Sequence, residues 1–276
     1  YFYYEKGLRN QARFLDVNDL SAANLTGKMI NPKKFAYVIY SHSSFSDCWE
    51  MNINQAKEYL PSNYSEIILV TDDSEESNDA YNRLALSGVR LEKYDDELPY
   101  TDRLVQVFEQ INKMHELIYF VHEDMPLIGT VDEIYLNSLL HYISNSNEYY
   151  IKLVDTNFVD QKVEHPSFPG LVMNTGGYAI SVQPSLIKLA DYKEILRNFK
   201  CGIYEFEKMC VNSNFQASAV KGSVKIGKYL EINQYFPQIC TAISKGKWCL
   251  DEWEVEIHHL SEKYRIDLQI RGSVND

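Results

Sequence analysis

No run of the 276 residues approaches the roughly 18 consecutive apolar side chains that a membrane-spanning helix needs. The opening Tyr1-Phe2-Tyr3-Tyr4 is too short and too polar for a signal peptide. A soluble, cytoplasmic protein without a membrane span is the expectation. Cysteine is sparse and unpatterned. There are five, an odd number, with no CxxC pair, so neither a disulfide framework nor a structural zinc site is expected. Cations are in deficit, because 27 Lys and Arg against 39 Asp and Glu leave a net charge of −12. That disfavours nucleic acid as a partner, since such binding depends on cationic contacts with phosphate. Three α/β signatures are also missing. Without GxGxxG a dinucleotide enzyme is not expected, without GxxxxGK before Ser or Thr there is no P-loop, and without GxSxG there is no nucleophile elbow. The pair His258-His259 lacks a third ligand at metal spacing and reads as surface.

What is present is an ordinary globular balance, 45% hydrophobic and 24% charged, which argues against disorder. Tyrosine is abundant at 21 residues. Its flat face and edge hydroxyl suit sugar rings, although core packing is the commoner use.

Apolar runs over Phe35–Tyr40, Glu66–Val70, Leu117–Val121 and Tyr149–Leu153 read as buried strands, with weaker ones at Val89–Tyr94 and Tyr178–Val182. Helical spacing over Asp47–Leu60, Tyr100–Met114, Val131–Ser144, Leu186–Asn198, Tyr204–Val211 and Asp251–Leu268 predicts helices, and another is predicted over Leu8–Leu20. The stretch Asp155–Gly170 reads as a surface loop. Strands alternating with helices at this spacing predict an α/β fold with a mostly parallel central sheet flanked by helices. We expect a single domain over residues 1–276 with a C-terminal helical extension, its nucleotide-binding half at about 30–155 and its acceptor half at about 156–276.

Open parallel sheets bind ligands outside the carboxyl ends of their strands. That rule selects Ser41-His42-Ser43-Ser44, Thr71-Asp72-Asp73 and His122-Glu123-Asp124. Asp72 can accept from ribose hydroxyls, and Ser41 and His42 can line a nucleoside. Adjacent carboxylates after a buried strand can hold a divalent cation that bridges phosphates.

Five segments in order, Tyr37–Trp49 (YVIYSHSSFSDCW), Thr101–Ile111, Tyr119–Leu127 (YFVHEDMPL), Ile180–Glu207 and Gly246-Lys247-Trp248, resemble GT-A glycosyltransferases, particularly those of bacterial polysaccharide loci and large algal viruses. The resemblance covers about three quarters of the chain. It implies a GT-A fold, a nucleotide-sugar donor (a UDP-sugar such as UDP-xylose), an oligosaccharide acceptor, and Mn²⁺ or Mg²⁺ as cofactor. By position it implies Asp124 as metal or diphosphate anchor with Glu123 supporting it, and Ser41, His42, Asp72 and Arg103 around the nucleotide. Asn174 and Gly176 would wall the donor sugar, and Lys247 would meet the diphosphate. An inverting transfer needs a carboxylate to take the acceptor's proton. Glu207 is favoured for this, with Glu205 second, because residues two apart on a helix face different ways. His122 stands where the GT-A motif has a first aspartate, which puts the metal in question. A retaining transferase, a nucleotidyltransferase and a non-catalytic carbohydrate-binding protein are the alternatives.

Overall fold

The computed structural model describes residues 33–74, 80–82, 84, 87–155, 159, 161–176, 178–212, 216–221, 223–226 and 230–274. The helix predicted over Leu8–Leu20 lies outside these residues.

The four apolar runs nearest the N-terminus become strands because each can be buried on both faces. They are β1 (Phe35–Tyr40), β2 (Tyr64–Asp72), β4 (Leu117–His122) and β5 (Tyr150–Lys152), with the less buried β3 at Arg90–Tyr94. Four more strands complete one sheet: β6 (Gln161–Glu164), β7 (Leu171–Thr175), β8 (Ser185–Lys188) and β9 (Gln216–Val220). Their order is β3-β2-β1-β4-β8-β5-β9-β7-β6. Seven of the nine, all but β7 and β8, run the same way. The α/β class with a large, mostly parallel sheet is as expected.

Successive strand residues face opposite sides, and the packing follows that alternation. Phe35, Tyr37 and Ile39 of β1 pack with Trp49, Ile53 and Ala56 of α1 (Ser46–Tyr59) and with Leu136, Leu139 and Ile143 of α3 (Glu133–Asn145). Ala36, Val38 and Tyr40 face the other way. They meet α2 (Tyr100–Ile111), α4 (Leu189–Leu196) and α5 (Ile203–Asn212) through Val107, Phe108, Tyr192 and Phe206. A third apolar cluster joins Cys48 and Met51 of α1 to Trp253 and Ile257 of α6 (Leu250–Tyr264). The small ladders are β10 (Ser223–Ile226) with β11 (Leu230–Asn233), and β12 (Ile243–Ser244) with β13 (Lys247–Trp248). All five cysteines are buried and unpaired.

Three sequence expectations need correction. Tyr178–Val182 is not a strand but a connector whose backbone groups are taken by side chains. Lys152 Nζ donates to the Tyr178 carbonyl at 2.5 Å, the Tyr150 hydroxyl donates to the Ser181 carbonyl at 2.9 Å, and Val182 N–H donates to Glu207 at 3.1 Å. With those groups occupied, no ladder forms. Leu186–Asn198 is not one helix either. Its first residues form β8, which is paired on both sides by β4 and β5, and only Leu189–Leu196 is helical. Within the expected loop Asp155–Gly170, Gln161–Glu164 forms an exposed edge strand on β7.

Candidate active site

The register of β1 sets the frame. Tyr40 lies level with Val70 on one side and His122 on the other, and the ladders run one step further. Ser41 N–H donates to the Val70 carbonyl at 2.8 Å and Glu123 N–H to the Tyr40 carbonyl at 3.1 Å. Ser41, Asp72 and the turn His122-Glu123-Asp124 therefore emerge along one sheet edge, as the strand-end rule requires.

Around Ser41 the polar groups interlock. Trp49 Nε1 donates to Ser41 Oγ at 2.7 Å, and the Tyr94 hydroxyl donates to the Ser41 carbonyl at 2.8 Å. Asp72 accepts from Ser43 N–H at 2.6 Å, Ser43 Oγ at 2.7 Å and Thr71 Oγ1 at 3.0 Å. Burial alone would raise its carboxyl, but these bonds and nearby His42 outweigh burial and hold it below the usual range. His42 caps the 3₁₀ turn Ser43–Phe45, with its Nε2 3.9 Å from Asp72 and 3.5 Å from Asp96. Arg103 reaches the same Asp96 at 2.7 Å, donates to the Leu98 carbonyl at 2.6 Å and lies over the Tyr94 ring. Asp96 thus ties Arg103 to His42, a link that sequence spacing gave no means of seeing.

The acid turn is buried. Asn52, an amide on the inner face of α1, donates to the carbonyls of His122 and Glu123 at 3.1 Å each and fixes the turn from below. Asp124 accepts from Thr241 Oγ1, and from Ile243 N–H at 3.4 Å, so the β12–β13 hairpin carrying Lys247 is anchored on this carboxylate. Burial pushes Asp124 up to about 7, opposed by the Ile243 N–H and by Arg271. Burial, then the charge of Asp124, drives Glu123 well above the ordinary carboxyl range. The two acids therefore resist carrying two charges together. Arg271 comes from beyond α6, donates to Asp47 and to the Ser44 carbonyl, and lies over the Phe45 ring. It adds positive charge beside the turn.

These residues offer a divalent cation few ligands. Thr241 and Ile243 both engage Oδ2 of Asp124, while the His122 ring is packed among Tyr40, Tyr100 and Phe120 and driven down to about 4 by burial. Among the described residues no three His, Cys, Asp or Glu side chains gather as metal ligands.

Across the edge, Glu207 and Glu205 diverge as two positions on a helix must. Glu205 is exposed. Glu207 is half-buried and turned inward onto Val182, just before β8 begins beside Phe120. Burial raises its carboxyl, while the Val182 N–H and then Lys152 lower it. Asn174 and Gly176 do not join this group. Asn174 pairs with Ala217 and Thr175 with Gln216, the first residue of β9, so this end of β7 lies toward the opposite edge of the sheet. Asn174 is fully buried with neither amide atom hydrogen-bonded, and Gly176 follows with φ +65°. Lys247 is half-buried in the hairpin tied to Asp124.

Sequence reasoning missed Lys152, Asn52, Thr241 and Arg271. Two had a visible signal: Lys152 is a charge inside an apolar strand, and Asn52 is an amide on the apolar side of an amphipathic helix. Thr241 and Arg271 had none, since their partners are more than 100 residues away.

No protein-family model matches the chain, and no curated protein matches it. Solved structures do. One is the glycosyltransferase GlyE of Streptococcus pneumoniae, at 13% identity over 68% of this chain and 45% of that one, TM-score 0.43. A second is S. aureus TarS 1-349 in complex with UDP, at 14% identity over 67% and 57%, TM-score 0.43. A third is a cytidylyltransferase from Leptospira borgpetersenii, at 11% identity over 65% and 69%, TM-score 0.42. These likenesses are distant, and the chemistry of this chain is argued from its own residues.

Proposed function

We propose that the chain is a glycosyltransferase that moves a sugar from a nucleotide donor to a saccharide hydroxyl with inversion. One observation carries this reading: the ends of β1, β2 and β4 gather Ser41, His42, Ser43, Asp72 and the acid turn on one edge, and the inward carboxylate of Glu207 approaches that edge from α5. Ser41, His42, Ser43 and Asp72 would hold the nucleoside, with Asp72 kept ionised to accept from ribose hydroxyls. Arg103 would brace that pocket through Asp96. The acid turn would shape the floor, with Arg271 and Lys247 supplying positive charge toward the diphosphate.

In the transfer, Glu207 takes the proton of the acceptor hydroxyl as its oxygen bonds to the anomeric carbon. The bond from that carbon to the diphosphate breaks, and its electron pair leaves with the nucleotide. Glu205, being exposed, is disfavoured as the base. The sheet contains strands from both sides of residue 155, which supports reading the chain as one domain.

The test is a thermal-shift screen of nucleotide sugars, in buffer with EDTA and with Mn²⁺, followed by transfer assays. A UDP-sugar is expected to raise Tm, with or without metal. Glu207→Gln should keep that rise while losing about 10²–10⁴-fold in transfer. If no nucleotide sugar stabilises the protein, the reading fails.

A further inference from the structure

Lys152 ends β5 with 0% of its surface exposed. Tyr150, two residues earlier, packs into the core beneath α4 and α5, so Lys152 projects to that same side. Its ladder neighbours are Ser185 and Ala219, small residues that leave room for the lysine stem. Nζ donates to the Tyr178 carbonyl at 2.5 Å, and four residues along the same connector Val182 N–H donates to Glu207 at 3.1 Å. The ammonium and the carboxylate thus grip one short segment at the mouth of β8.

An ammonium removed from water is costly unless an anion shares its surroundings. Glu207 is a carboxylate within electrostatic reach of it. Among the described residues, the other titratable groups facing Glu207 are the Tyr100 phenol from α2, the Tyr192 phenol from α4, and the Cys210 thiol on its own helix, while the Cys240 thiol, also raised by burial, faces Lys152. Burial raises these phenols and thiols, so they are neutral near pH 7, and among the described residues Lys152 is the cation acting on Glu207.

We propose that Lys152 is a positioning residue that keeps Glu207 ionised and aimed from the connector, ready to accept the proton of the acceptor hydroxyl. The proposal rests on the reading of Glu207 as the base. The transferred proton ends on the Glu207 carboxylate, and the electron pair of the broken bond leaves with the nucleotide diphosphate.

The experiment follows UDP release from the UDP-sugar giving the largest thermal shift, between pH 5.5 and 9, in the full chain. Lys152→Gln retains a donor for the Tyr178 carbonyl but removes the charge. It should lose about tenfold in kcat/KM at pH 6 and recover toward the wild-type rate at pH 9, because the carboxyl now ionises at higher pH. Lys152→Arg should keep the wild-type profile. A loss that is equal at every pH, or confined to KM, overturns the proposal and makes Lys152 a structural or substrate-binding group. Should Lys152→Gln fold poorly, the Lys152→Arg profile decides: an acidic limb displaced as far as that of a charge-removed Lys152→Met also overturns it. Full turnover by Glu207→Gln would instead sink the base assignment itself, an outcome distinct from inactive Glu207→Gln with pH-independent Lys152 variants.

Discussion

Asp72 and Glu123 lie on either side of Ser41, and their surroundings drive them in opposite directions. Asp72 receives three hydrogen bonds and is held ionised, so its contribution to stability is present above the ordinary carboxyl range and is lost only as pH falls through its lowered value. Glu123 and Asp124 are buried beside each other and both are raised. For a raised acid the folded protein holds more protons than the unfolded one between the two values, so stability falls as pH rises through that window. With Asp124 at about 7, the window runs from the ordinary carboxyl range up to near neutrality. Glu123→Gln removes one of the two charges. Between about pH 6.5 and pH 8, above the range where the lowered His122 acts in the opposite sense, the wild type should therefore lose Tm and the variant distinctly less, as followed by circular dichroism melts at matched ionic strength. Equal slopes would mean that the pair is solvated.

At the level of elements, the β12–β13 hairpin is the device that closes the acid turn. Ser244 and Lys247 pair across Lys245-Gly246, whose φ angles are +52° and +79°, the two positive values of a type I′ turn. A Cβ at Gly246 would meet no atom within 4 Å, so substitution there tests backbone strain alone. Gly246→Ala should cost about 1 kcal/mol in urea unfolding. Because Asp124 is gripped through Thr241 and Ile243 at the hairpin's base, it should also weaken the thermal shift given by a nucleotide sugar. An unchanged shift would show that hairpin and donor are independent. The connector Tyr178–Val182 is the opposite kind of element, since side chains from β5 and α5 fix it rather than a ladder.

At the scale of the molecule, local signals carried the N-terminal half of the fold. Runs such as Phe35–Tyr40 are apolar on both faces and admit one reading, and helices such as Tyr100–Ile111 show a clean stripe. The other half was less legible because its strands are short and take their identity from neighbours. Ser-Leu-Ile-Lys fits a helix as well as a strand until β4 and β5 claim it from both sides. Gln-Ala-Ser-Ala-Val has no strong pattern and becomes β9 between β5 and β7. The site divides the same way. Strand-end positions such as Ser41, Asp72 and Glu123 follow from the sheet, whereas Arg271, Thr241 and Lys152 act through partners that only folding supplies.

The place of β8 carries one more consequence. It runs between β4 and β5, two strands that precede it in the chain, so β4 and β5 never touch and are joined only through a strand made later. If the chain folds as one domain, as proposed, it should not divide at residue 155 into two self-sufficient pieces. A fragment ending there would hold two strands with open inner edges and no common neighbour, a recipe for aggregation. Split into polypeptides at that point, the halves should be insoluble when made apart and soluble when made together, with β8 of one half sliding into the gap left in the other. Sedimentation of separately and jointly expressed halves would decide it, and two soluble, cooperatively melting fragments would show the gap to be harmless.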